Sequence, residues 1–252
     1  MACTIVIPLY TCALRPEERQ SLRQCQRVLG QHDIVVVHPA GLQVDALREL
    51  LPTMRSEAFE PHFFRGIEGY NRLMLSADFY RRFAASEYIL IYQTDAWVFA
   101  DTLDEWCERD YDYIGAPWLG SQRELSAAYR PVLALRRLWA MLTGHGYSAM
   151  RKWRCGNGGL SLRRPLKMVE VLEEHRHLVP QKFGNEEDNE DVFFSIRLRH
   201  HLRVPQWEEA MHFAVESRPA WALQRMHTLP FGCHGWNKPP HDAFWRDVIK
   251  PC

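Results

Sequence analysis

Tyr88-Ile89-Leu90-Ile91-Tyr92 is an apolar run with no polar alternation. A strand of that kind is buried on both faces, which is the position of a central strand in a parallel sheet. This run restricts the chain to a layered α/β fold more than any other feature. It leads into Gln93-Thr94-Asp95-Ala96-Trp97-Val98-Phe99-Ala100-Asp101. Ligands of doubly wound sheets sit at the carboxyl ends of the strands, so Asp95 is placed to meet a cation or a phosphate. An aspartate that merely caps a turn would be written the same way, and the residue taken alone does not decide.

The segments before this run supply the rest of a βαβ beginning. Ile5 to Leu9 forms a compact apolar strand. Pro16-Glu17-Glu18 has the chemistry of a first helical turn, and a helix follows to about Val28. Its apolar residues Leu22, Cys25 and Leu29 share a face, Gly30 supplies the stop, and Ile34-Val35-Val36-Val37 is a β-branched strand. Further helices are expected from Asp45 to Leu51 and from Tyr70 to Phe83, where Tyr70, Leu73, Met74, Ala77 and Tyr80 share one side. Strands alternating with helices indicate one α/β domain, and 252 residues suffice for a full core.

Thirty-one basic residues balance 31 acidic ones, so no net field draws the chain to nucleic acid. The seven cysteines, Cys3, Cys12, Cys25, Cys107, Cys155, Cys233 and Cys252, are scattered and form no C-x-x-C pair, which reads as a reducing compartment. The first apolar run is too short for a signal sequence, and no stretch reaches the ~18 apolar residues of a membrane span. The expectation is a cytoplasmic protein.

The pattern changes in the second half. Tyr113-Ile114-Gly115-Ala116-Pro117-Trp118 reads as a short strand. Leu119 to Trp153 is a basic amphipathic insertion, with Leu133, Leu135, Leu138, Trp139 and Leu142 among arginines. It suits a lid packed on its own domain or a helix at the inner face of a membrane. Cys155-Gly156-Asn157-Gly158-Gly159 is read as a turn that lets the backbone approach a ligand before a strand. A helix near Pro165 to Glu174 precedes Asn189-Glu190-Asp191, where Asn189 suits an N-cap and the helix dipole would keep first-turn carboxylates ionised. Glu208 to Glu216 reads as helix or irregular structure. His234 lies in the late run Phe231-Gly232-Cys233-His234-Gly235-Trp236, and a lone histidine of this kind is more often structural than catalytic.

In this order the pieces resemble the GT-A glycosyltransferases, and more closely a microbial family catalogued as a domain of unknown function. The blocks that carry the likeness are Glu68-Gly69-Tyr70-Asn71, Gln93 to Phe99, Tyr113 to Trp118, Gly156 to Arg163, Asn189 to Phe193 and Phe231 to Trp236. The resemblance implies a single GT-A-like, Rossmann-like domain with a mostly parallel central sheet and a helical insertion. Residues 1–118 would form its nucleotide-sugar half, 119–153 the insertion, and 154–252 the acceptor and catalytic half.

The resemblance further implies that Asp95 meets the metal-diphosphate of the donor and that His234 completes the shell of an Mn²⁺ or Mg²⁺ ion. It places Pro8, Tyr10, Tyr70, Asn71 and Thr94 around the donor, and Asn157, Gly158 and Gly159 between donor sugar and acceptor. Asp191 matches the general base of inverting members, and Glu190 would orient the acceptor or its loop. The chain departs from the usual pattern in one respect: Trp97 stands where a second acid is expected two residues after Asp95, and Asp101 lies too far along to replace it. The implied partners are a nucleotide-sugar, UDP-linked by analogy, and a glycan or lipid-linked glycan acceptor. A hydrolase of nucleotide-sugars or diphosphates and a catalytically silent binding module are the competing readings.

Overall fold

The computed structural model describes residues 3–143 and 147–249. Cys252 and residues 144–146 of the insertion lie outside the described residues. The strands are β1 (Cys3–Pro8), β2 (Asp33–Pro39), β3 (Arg55–Phe59), β4 (Tyr88–Tyr92), β5 (Ala96–Val98), β6 (Tyr113–Pro117), β7 (Cys155–Arg163), β8 (Ala214–Val215) and β9 (Gly232–His234). Six of them make the main sheet, in the order β3-β2-β1-β4-β7-β6. β1, β2, β3 and β4 pair in parallel, while β7 runs antiparallel to both β4 and β6. Tyr88 to Tyr92 is the central strand, with every residue buried on both faces.

The helix Pro16–Leu29 opens with proline at its first turn and buries Leu22, Cys25 and Leu29 against one face of the sheet. Gly30 ends it in right-handed helical conformation, so the glycine stop is not the left-handed cap that glycine usually makes. The opposite face is covered by helices Gly66–Met74, Ala77–Arg81 and Pro165–Glu174 and by the turns after Asn189. The expected helix over 70–83 thus starts earlier and breaks at Leu75-Ser76, although Tyr70, Leu73, Met74 and Tyr80 are all buried as its periodicity requires. Asp45–Glu49 forms only a 3₁₀ turn, and Arg55–Phe59, a mixed polar sequence, is an edge strand.

A second, three-stranded sheet in the order β5-β9-β8 packs at the end of the first. It gathers a cluster in which Trp97, Trp236 and Trp245 are buried. The insertion contains helices Arg130–Thr143 and Tyr147–Arg151. The first of these buries Leu133 and Ala140 but leaves Leu135, Trp139 and Leu142 exposed. No helix among the described residues is long and apolar enough to cross a membrane. The six described cysteines are free.

Candidate active site

A cleft of about 510 Å³ opens at the carboxyl ends of β1 and β4, and every residue expected at the site lines it. Pro8 and Tyr10 come from the end of β1, Tyr70 and Asn71 from the helix Gly66–Met74, and Thr94 and Asp95 from the exit of β4. Asn157, Gly158 and Gly159 belong to β7, Glu190 and Asp191 to the helical turn Glu190–Val192, and His234 to β9. Gln93, Asn189, Gly66 and Ile67 complete the lining.

Register brings Asp95 and His234 together across a long stretch of chain. β5 pairs antiparallel with β9, Ala96 opposite His234, and the N–H of Gly235 donates to the Asp95 carbonyl at 2.9 Å. The carboxylate of Asp95 then lies 3.2 Å from His234 Nε2 and 2.5 Å from Lys238 Nζ. Burial works against charge on Asp95, but His234 and then Lys238 override it and hold the carboxyl well below the usual carboxylate range. Burial likewise opposes protonation of His234. Asp95 on one nitrogen and Glu216 on the other prevail and push its pKa up to about 10. Glu216 reaches Nδ1 at 3.1 Å because β8 pairs alongside β9.

The opposite wall is built around Arg163. This fully buried guanidinium faces both carboxylate oxygens of Glu190 at 2.9 Å and donates to Tyr80 and Ser161 at 2.8 and 3.0 Å. Glu190 is therefore committed to an internal ion pair. Asn71 is similarly engaged: its Oδ1 accepts the Glu190 N–H at 2.7 Å and its amide donates to Asn189 Oδ1 at 3.1 Å. Asn189 occupies the N-cap position without capping through its side chain.

Asp191 corrects the expectation that the dipole keeps it ionised. The helical turn is only three residues long and passes into a π-helical segment, Phe193–Arg197, so little dipole is available. Burial, and then the charge of Glu190 beside it, push its carboxyl up to about 7.

The glycines also work differently from the turn expected of them, since they lie within β7 itself. A Cβ on Gly159 would come 2.1 Å from His234 Nε2, and one on Gly158 would come 2.1 Å from Glu190 Oε1. They admit the site's own side chains. Trp97 packs against Trp236 at 5.3 Å between ring centroids, and Asp101 pairs with His32 at 3.1 Å, so neither adds a carboxylate to the cleft.

The donor set suits a divalent ion in a restricted way. Asp95 provides one buried carboxylate whose Oδ1 faces His234 and whose Oδ2 faces Lys238, so an ion there would share it with those cations, and an ion of the Mg²⁺ type can draw its other ligands from phosphate oxygens and water. His234 has both nitrogens engaged, and among the described residues no group of three His, Cys, Asp or Glu side chains is arranged to hold a metal. Lys238, Glu216 and Arg163 were not singled out from sequence. Lys238 could have been noticed as a cation four residues after His234, whereas the other two acquire their places only through strand pairing and packing.

Comparison with solved structures places this architecture among the GT-A glycosyltransferase folds. The apo form of the glycosyltransferase GlyE of Streptococcus pneumoniae is 12% identical and superposes over 99% of this chain with a TM-score of 0.51. This chain spans 61% of the GlyE chain. Mouse xyloside xylosyltransferase 1 in its apo form is 10% identical, with 93% of this chain and 98% of that chain covered at a TM-score of 0.51. At such identities the likeness establishes the fold. No curated protein matches the sequence at a significant level. Residues 53–234 match the profile of a family described as "Protein of unknown function (DUF5672)", and with most of its length inside that match the chain belongs to this family.

Proposed function

We propose that the chain is a glycosyltransferase that moves a sugar from a nucleotide-sugar, UDP-linked in the first instance, to a glycan or lipid-linked glycan. The observation that carries this reading is one cleft at the carboxyl ends of β1 and β4 that brings together two unlike aspartates: Asp95, 3.2 Å from His234 and 2.5 Å from Lys238, and Asp191, buried beside Glu190. In this reading residues 1–118 hold the donor, 119–153 form an acceptor-side lid, and 154–252 supply acceptor and catalytic groups.

Pro8, Tyr10, Tyr70 and Thr94 border the donor, and Asn157 to Gly159 separate its sugar from the acceptor. Asn71 and Glu190 act by positioning the segment that carries Asp191. As the acceptor hydroxyl attacks the anomeric carbon, its proton passes to the Asp191 carboxylate. The bond from that carbon to the diphosphate oxygen breaks with inversion, and the electron pair leaves with the nucleoside diphosphate. Lys238 and protonated His234, both set against Asp95, would meet the diphosphate charge, a preorganised electrostatic contribution. Bound Mn²⁺ or Mg²⁺, held by Asp95 and phosphate oxygens, would supply further neutralisation of the leaving group.

Charge and exposure at the insertion support an anionic membrane surface as the setting. Between Ser126 and Arg154 the chain carries Arg130, Arg136, Arg137, Arg151, Lys152 and Arg154 and no acidic residue, with Arg151 and Lys152 paired to Glu186 and Glu124 from outside the segment. The same segment exposes Leu135 at 66%, Trp139 at 56% and Leu142 at 77%. Basic residues near such a surface contribute about 1 kcal/mol each. The protein would then be peripheral at the cytoplasmic face.

The deciding experiment follows nucleoside diphosphate release from a panel of nucleotide-sugars, with and without acceptors and Mn²⁺. Acceptor-dependent release is expected. Release that ignores the acceptor would identify a hydrolase, and binding without release a silent module.

A further inference from the structure

Most buried or half-buried arginines of this chain have an acid to themselves: Arg163 pairs with Glu190, Arg164 with Asp112 and Arg151 with Glu186. One group does not. Arg137 from the insertion helix, Arg154 just before β7 and Arg199 in the turn after the π-helical segment lie within electrostatic reach of one another. Arg137 is anchored, its Nε donating to the Ala149 carbonyl at 3.3 Å and its Nη2 to the Lys152 carbonyl at 2.7 Å. Among the described residues, the side chains of Arg154 and Arg199 make no hydrogen bond or ion pair, and Arg199 Nη1 is buried without an acceptor.

A buried, unpaired donor on a charged group is unfavourable, and like charges beside it add to the penalty. Burial, and then Arg137 and Arg199, lower the Arg154 pKa to about 10, which still leaves it charged at neutral pH. The planar fork of a guanidinium matches the oxygens of a phosphoryl group in a bidentate fashion.

We propose that Arg137, Arg154 and Arg199 form an anion-binding subsite that receives a phosphoryl group of the acceptor. None of the three arginines lines the cleft itself, but two are tied to it through the chain: Arg154 is three residues before Asn157 of the lining, and Arg199 follows the segment that carries Asp191. Its assignment to the acceptor rests on the transferase reading, while the anion site itself does not. The phosphoryl group can belong to a lipid-linked acceptor or to a soluble sugar phosphate.

The test compares thermal unfolding of the wild type, the double variant Arg154→Gln with Arg199→Gln, and Lys238→Ala, in inorganic phosphate and in chloride of matched ionic strength. Wild-type Tm is expected to rise by about 2–4 °C once phosphate reaches several times its Kd. The double variant loses that rise, with an anion-free Tm equal to or above wild type because repulsion is relieved. Lys238→Ala keeps it, and UDP still shifts the double variant. A UDP shift lost in every form would remove the transferase reading and leave the anion site standing.

Wild type without a phosphate response, a double variant with the full response, or a response lost in Lys238→Ala alone overturns the proposal. If the double variant does not fold, Arg199→Lys replaces it: a smaller phosphate shift with retained charge supports the fork, and an unchanged shift refutes it. Co-sedimentation with phosphatidylcholine vesicles containing phosphatidic acid, lost in the variant, identifies a lipid phosphate. A response to inorganic phosphate alone identifies a soluble one.

Discussion

The two walls of the cleft hold the same side chain in opposite states. On the wall built by the small sheet, Asp95 is 6% exposed yet firmly ionised, because His234 and Lys238 stand against it. On the wall built by the Arg163 network, Asp191 is pushed up to about 7 by burial and then by the charge of Glu190, whose own partner is Arg163. Burial, which opposes charge on both, does not by itself set the role of a carboxyl group. The sign of its neighbours does, and two aspartates so separated can divide the work of binding a donor and accepting a proton.

The most severe way to break the contrast is to take apart the Arg163 wall. Glu190→Gln leaves a fully buried guanidinium without its counter-charge, and should lower stability by about 3–5 kcal/mol in chemical denaturation. A loss below about 1 kcal/mol would mean that Arg163 is solvated or otherwise paired. Asp191→Asn should next reduce transfer by about 10²-fold or more while UDP binding is retained, as read by steady-state kinetics beside a thermal-shift titration. Near-normal turnover, or a product with retained anomeric configuration, would remove the base assignment.

Asp95→Ala should abolish the stabilisation by UDP, which amounts to about 2.7 kcal/mol at a hundredfold excess over Kd. A shift that survives would move the donor elsewhere.

The pH dependence sharpens the same comparison. kcat/KM should fall about tenfold per pH unit below about 7 as Asp191 takes up a proton, and level off above it. Because the folded pKa of Asp191 is raised above 3.8, its contribution to stability weakens as pH rises from about 4 to 7, and Asp191→Asn should have the higher Tm at pH 8. His234 is raised to about 10, so its contribution is full below about 6.5 and lost as pH rises through 10. The smallest expected effect concerns the insertion: flotation with anionic liposomes should weaken in Trp139→Ser with Leu142→Ser, whereas donor binding stays unchanged.

Much of the sheet was readable because its strands are continuous apolar runs. Tyr88 to Tyr92 and Pro165 to Glu174 have the bounds expected of them. The misreadings occur where local pattern and packing disagree. Arg55–Phe59 has no strand-like alternation and exists by pairing along β2, while the regular spacing over 70–83 conceals a break at Leu75-Ser76. The glycines of β7 resemble a turn in sequence, but they are small so that His234 and Glu190 can approach the strand.

The order of chemical groups along the chain was determined by sequence alone: an acid leaving a central strand, an acidic helix start, a late histidine. Their local settings depend on neighbours within a few residues, and periodicity reports those. Which groups meet was decided only in three dimensions. Pairing of β5 with β9 sets His234 and Lys238 against Asp95, β8 delivers Glu216, and packing of Arg163 captures Glu190 and leaves Asp191 beside it. Ionisation follows charge and burial at distances of 2.5 to 3.2 Å, and those distances are made by residues far apart in the chain.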